Sequence, residues 1–190
     1  MSTLIVAGNV NAAIILEHSG TVELGTDYHT NLQFLNDKEE KSVYIYSIIP
    51  EYKIKALDEK NEWYGSVGVN LQRSSNQDIS GNREDPFAKL GWLRRFESGT
   101  LDLVTEYSKE SSRTTQFTQT GVLTQDGSTT AKSFGATWTY AITPKLDMVS
   151  TAEYIKNTFS GVSELSDYHT TDYGVELKYA MSDSIRHRIF

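Results

Sequence analysis

Residues 22–34 read Val-Glu-Leu-Gly-Thr-Asp-Tyr-His-Thr-Asn-Leu-Gln-Phe. Val22, Leu24, Thr26, Tyr28, Thr30, Leu32 and Phe34 occupy every second position, with Glu23, Gly25, Asp27, His29, Asn31 and Gln33 between them. A strand turns successive side chains to opposite faces, so this period of two predicts a strand with one apolar and one polar surface. A helical period would scatter the same residues around its axis.

The pattern recurs along the chain. Alternation predicts further strands over 44–56, 63–71, 87–96, 101–107, 134–142, 146–154 and 173–181, and a ninth that starts at Ile185 and ends with the chain at Phe190. Segments two and three are joined through Asp58 to Asn61, four and five through Glu97-Ser98-Gly99, and six and seven through Thr143-Pro144-Lys145. These are tight-turn lengths with turn-forming residues, and Ser182-Asp183-Ser184 is another. The intervening connections are mostly longer and very polar: Ser74 to Pro86, Lys109 to Thr130 and Asn157 to Asp167; only Asn36 to Glu40 is short. Short turns at one end and long loops at the other is the asymmetry of outer-membrane barrels. The fold class expected is therefore all-β, an antiparallel up-and-down transmembrane β-barrel with eight to nine strands present.

The chain's 190 residues are one domain's worth, with 38% hydrophobic and 11% aromatic residues and a formal net charge of −7. Mean hydropathy is −0.44 and no run of about 18 apolar residues exists, so no helix is expected to cross a membrane. Absent cysteine excludes disulfides and thiolate metal sites, and the acidic balance argues against nucleic acid as a partner.

A soluble sandwich alternates too, but with its apolar face inside. Three features favour the barrel. The predicted strands run to bilayer-crossing length. Aromatics gather on the apolar faces near strand ends, as a membrane-interface girdle requires: Tyr28, Phe34, Trp63, Trp92, Phe96, Tyr107, Trp138, Tyr154 and Tyr179, with Tyr168 a further one. The polar faces carry ionisable groups well inside the strands, as a wet interior allows. The candidate lining residues are Glu23, Asp27, His29, Glu51, Lys53, Lys55, Asp102, Glu106, Asp147, Glu153, Asp172, Glu176 and Lys178, with Lys89 and Arg95 as further bases. Acids exceed bases in this set, which would concentrate cations in a pore.

Gly20 to Asn31 and Ser133 to Asp147 resemble bacterial outer-membrane β-barrels, in particular the porin-like barrels found with exopolysaccharide and PEP-CTERM gene sets. The resemblance covers residue 20 onward and rests on strand-turn style. It implies a place in the bacterial outer membrane, with the lipid bilayer as partner and exopolysaccharide or its assembly proteins as further ones. Barrels of this kind are generally larger than nine strands, and bacterial single-chain barrels use even strand numbers. A fragment of a larger barrel is one reading; eight closed strands with a tail is the other.

Two domains of unequal kind are expected: residues 1–13 as a remnant of a signal peptide, with cleavage near Val10 to Ala13, and 14–190 as the barrel. A frayed N-terminal strand is the competing reading of the first segment.

The tetrapeptide Asp-Tyr-His-Thr occurs twice, at Asp27–Thr30 and Asp167–Thr170. An Asp–His pair can orient a general base, but no serine in a nucleophile setting accompanies either copy. The spacing of His and Asp defines no metal site, and no phosphate-binding glycine loop is present. No catalytic residue, metal or cofactor is therefore expected. The function expected is a passive pore or a conduit exporting polysaccharide or small solutes. The alternative is a structural or adhesive barrel with a side-chain-filled interior and interacting loops, and an outer-membrane hydrolase ranks last.

Overall fold

The computed structural model describes residues 2–6, 14–30, 42–77, 80–111, 127–161, 166–182 and 185–189. Among these there is no helix. Ten strands form: β1 (Ser2–Val6), β2 (Ile14–His29), β3 (Val43–Leu57), β4 (Asn61–Ser74), β5 (Arg83–Phe96), β6 (Gly99–Ser111), β7 (Ser128–Thr143), β8 (Leu146–Ser160), β9 (Tyr168–Ser182) and β10 (Ile185–Ile189). All lie in one sheet in chain order, each antiparallel to the next.

The eight alternating segments are the eight long strands, β2–β9. The expected ninth is the short β10, and Ser2–Val6 adds a strand on the other edge by pairing with Ile14–His18. Strand β2 begins at Ile14, eight residues before the alternation becomes legible at Val22. Ser19, Gly20 and Thr21 interrupt the apolar signal, but their backbone continues the ladder opposite Lys53, Tyr52 and Glu51. No pairing joins β1 to β10 among the described residues, so the sheet is not closed.

Connections 58–60, 97–98 and 144–145 sit at one end of the sheet and are tightly stitched. The amides of Arg95, Ala141 and Ala180, each on the following hairpin, donate to the carbonyls of Lys60, Ser98 and Lys145 at 2.7, 2.7 and 2.8 Å. In the first turn the Asp58 carboxylate accepts from the Lys60 amide at 2.8 Å, the Asn61 amide at 2.6 Å and the Asn61 side-chain nitrogen at 2.9 and 3.0 Å. Those donors, the Asn61 side chain foremost, hold the Asp58 carboxyl below the usual carboxylate range. A depressed pKa stabilises the turn above the unfolded value of about 3.9, and that contribution is lost as pH falls through the folded value. Hydrogen exchange at the Lys60 and Asn61 amides should therefore accelerate beyond its intrinsic pH trend between pH 5 and pH 2. In Asp58→Ala the protection should be low at both pH values.

Cross-strand partners project to the same side of a sheet, so the register assigns every side chain to one of two faces. One face takes the even positions of β2 and β3 and their partners: Leu24, Ile48, Leu71, Leu90, Leu103, Phe134, Ala152 and Val175 lie on it. The other carries most of the charge. Among the described residues no second layer covers either side, and a concavity on the polar side is walled from Glu51 on β3 to Glu153 on β8, which a curled sheet brings around it. Val22, Leu24, Tyr173 and Val175 on the apolar face are 65, 73, 82 and 68% exposed. The buried strand residues Val43, Ile45, Asp85, Thr129 and Val149 all lie on the polar face. The sheet curls toward its polar side and leaves its apolar side outward.

Candidate functional site: the polar concave face

The candidate lining residues all fall on this face. Glu23, Asp27 and His29 come from β2, Glu51, Lys53 and Lys55 from β3, Asp102 and Glu106 from β6, Asp147 and Glu153 from β8, and Asp172, Glu176 and Lys178 from β9. Lys89 and Arg95 of β5 join them. Register places Ser19, Lys53, Ser66, Lys89, Glu106, Ser133, Ile155 and Thr170 in one row straight across β2–β9.

Ion pairs gather on the β3–β6 half. Lys89 meets Glu106, its direct cross-strand partner, at 2.6 Å, and Lys53 meets Glu51 at 3.1 Å. Glu62 accepts from Lys55 at 2.6 Å and from Arg95 at 3.0 Å, tying β3, β4 and β5 together near the short turns. On the other half, Glu153 and Asp172 stand directly opposite each other, and Glu176 reaches Lys178 at 3.5 Å. Carboxylates outnumber bases over the whole face.

Large side chains lie across glycines. Tyr64 covers Gly91, its partner on β5, and its hydroxyl donates to the Asp102 carboxylate on β6 at 3.2 Å. A Cβ at Gly91 would fall inside the Tyr64 ring. Phe87 covers Gly68 in the same way one strand back. At the long-connection end, Arg83 donates to the Gly127 carbonyl at 2.8 Å, spanning β6. Two concavities of about 430 and 490 Å³ open on this face and share Glu51, Ser66 and Lys89 in their walls.

Of the girdle aromatics, Phe34 lies outside the described residues. Tyr28, Trp63, Trp92, Phe96, Tyr107, Trp138, Tyr154 and Tyr179 all project from the apolar face. Trp63 and Trp92 stack with centroids 5.4 Å apart, Tyr28 packs on Tyr44 at 4.6 Å, and Phe96 meets Trp138 at 5.3 Å. Tyr168 corrects the expectation: its register with Asn157 turns it to the polar face, against Phe159 at 6.0 Å. It precedes the apolar run of β9 by an odd number of positions, so its aromatic character misassigned it.

The two Asp-Tyr-His-Thr copies are not brought together. They lie on or beside β2 and β9, seven strands apart, and His29 and His169 project to opposite faces. Asp167 accepts a hydrogen bond from the Phe159 amide at 2.9 Å, and His169 packs on Tyr154 with centroids 5.9 Å apart. Among the described residues no three His, Asp or Glu side chains gather in a way that could hold a metal ion.

Alternation places Tyr64 opposite Trp63, on the polar face, where the register finds it; its bond to Asp102 is what the sequence did not show. Sequence reading missed Glu62 and Asp85 as polar-face residues: Glu62 sits beside a turn, and Asp85 lies in a stretch predicted as connection. Extending the alternation outward from each strand centre would have found both. No known protein family matches this chain, and no curated protein is similar to it in sequence.

Proposed function

We propose that this chain forms the wall of a transmembrane β-barrel of the bacterial outer-membrane type, a passive pore for ions and small polar solutes. One observation carries the reading: the apolar band on the outward face runs obliquely across the strands, as it does when tilted strands cross a bilayer. On β9 the first ionisable residue bounding the band is His169, in the row Val67–Ala88–Tyr107–Lys132–Lys156–His169. On β4 the edge is at Arg73, six residues beyond Val67. The edge thus shifts about 20 Å along the strands over about 24 Å of sheet, a tilt of about 40° and within the usual barrel range. On β8 this face is uncharged from Leu146, where the strand begins, to Lys156. That is about 34 Å along the strand or about 26 Å of height at this tilt, near the ~25 Å apolar belt of such barrels.

A soluble sheet has no reason to keep an uncharged band oblique to its hydrogen-bond rows, nor to leave it outward. The ten strands, joined edge to edge, would enclose a narrow interior. About eight strands leave room only for side chains and 16 or more leave a wide channel, so small solutes suit it better than a polymer. The acid excess on the concave face favours cations. A second reading, an interior filled by side chains, is supported by the rings of Tyr64 and Phe87 laid across their glycines.

The chain contains no cysteine, which makes a paired labelling experiment direct. In protein reconstituted into lipid vesicles, Leu90→Cys should resist a membrane-impermeant maleimide while Lys89→Cys, one residue away on the concave face, reacts at least tenfold faster. Equal rapid labelling at both positions would overturn the membrane placement. Conductance across a planar bilayer separates the two interiors: cation-selective current supports the pore, and silence supports the filled barrel.

A further inference from the structure

The outward face is nearly free of carboxylates. Among the described strand residues Glu84 is its one acid, and Arg73 holds it at 3.0 Å. Against that background Lys132 and Lys156 are direct cross-strand partners on β7 and β8, with His169 next in the row on β9. Lys109 stands two residues past Tyr107, the fourth member of the row, on β6. Lys132 and Lys156 are exposed, and none of the three lysines makes an ion pair among the described residues. Directly opposed like charges, with Cβ atoms about 5 Å apart, repel and weaken a sheet. With Lys109 diagonal to Lys132 on the next strand, the three in a protein of net charge −7 call for an anion that the described residues do not supply.

The position says which anion. The cluster lies at the rim of the apolar band, immediately beyond Tyr154 and Phe134, at the end of the sheet where the long connections emerge. Long lysine side chains at that depth reach the headgroup layer, and an aromatic beneath them packs on the first acyl carbons. We infer that Lys109, Lys132 and Lys156 bind the phosphate of an anionic lipid in the leaflet on the long-connection side. The inference rests on the membrane reading above and adds a specific lipid contact to it. Ordinary interfacial lysines stand singly and would bind any headgroup; opposed lysines without acids select a negative one.

The test measures lipid selectivity by electron spin resonance in phosphatidylcholine vesicles, using spin-labelled phosphatidylglycerol and spin-labelled phosphatidylcholine as probes. Wild type should hold the anionic probe in its motionally restricted shell in preference to the zwitterionic one. Lys132→Gln with Lys156→Gln should lower that preference by about fivefold for each lysine at low salt, and Lys132→Arg with Lys156→Arg should keep it. In phosphatidylcholine alone the glutamine pair should unfold no more readily than wild type, since it removes repulsion. Equal selectivity in wild type and the glutamine pair would overturn the lipid site while leaving membrane insertion intact. No restricted shell for either probe would mean that the chain does not enter the bilayer, and the site would fall with that reading.

Discussion

Leu90→Arg is expected to lower the folding stability of the reconstituted protein by about 2–4 kcal/mol, the cost of arginine on the lipid face near the bilayer midplane. Leu90 sits at the middle of the apolar run of β5, between Pro86 and Arg94, and is 55% exposed. In a water-soluble sheet, a half-exposed leucine without tight packing changes stability by about 0.5 kcal/mol or less on such a substitution. The two environments therefore predict effects several-fold apart for one residue. Leu71→Arg, next to Arg73 at the rim, should cost only about 0–1 kcal/mol because the guanidinium reaches the headgroups. Denaturant unfolding of both variants in vesicles measures the contrast. Equal small effects at Leu90 and Leu71 would contradict a bilayer around the band.

Gly68→Val is expected to cost about 1–3 kcal/mol, and Gly135→Val close to nothing. Both glycines lie on the polar face in the middle of long strands. A Cβ at Gly68 would meet the Phe87 ring and lie 2.8 Å from the Pro50 carbonyl oxygen. Phe87 can swing away only by giving up its packing, and the Pro50 carbonyl belongs to the backbone of β3. A Cβ at Gly135 meets no atom within 4 Å, and a β-branched residue suits a strand. Thermal or urea unfolding of the two variants under identical conditions would decide. Comparable destabilisation at both sites would mean that strand flexibility, and not the Phe87 overlap, is what Gly68 supplies.

Alternation carries most of this architecture because a strand's side-chain period is a local property of its backbone. Val22 to Phe34 alone announces a two-faced strand, and each later segment repeats the announcement. The short turns at Asp58, Glu97 and Pro144 are equally local, since a two- or three-residue link leaves antiparallel pairing as the simple outcome. Signals failed where composition and parity disagree. Ser19 to Thr21 carry no apolar residue yet continue β2, because ladder hydrogen bonds belong to the backbone. Tyr168 is aromatic but one position out of step, so register and not hydrophobicity sets its direction.

Which residues share a face along one strand, and that one face is apolar, was determined by the sequence alone. Three things waited for the tertiary structure. Inter-strand register decided that Lys132 and Lys156 stand opposed, that Tyr64 lies over Gly91 to reach Asp102, and that the band's edge slips six residues from β4 to β9. Curvature decided which face is concave, since the sign of bending depends on all eight long strands together and no single strand encodes it. The separation of the two Asp-Tyr-His-Thr copies was likewise decided by strand order. Register offsets accumulate strand by strand through pairings between residues distant in the chain, and a periodicity read along one strand contains none of those offsets.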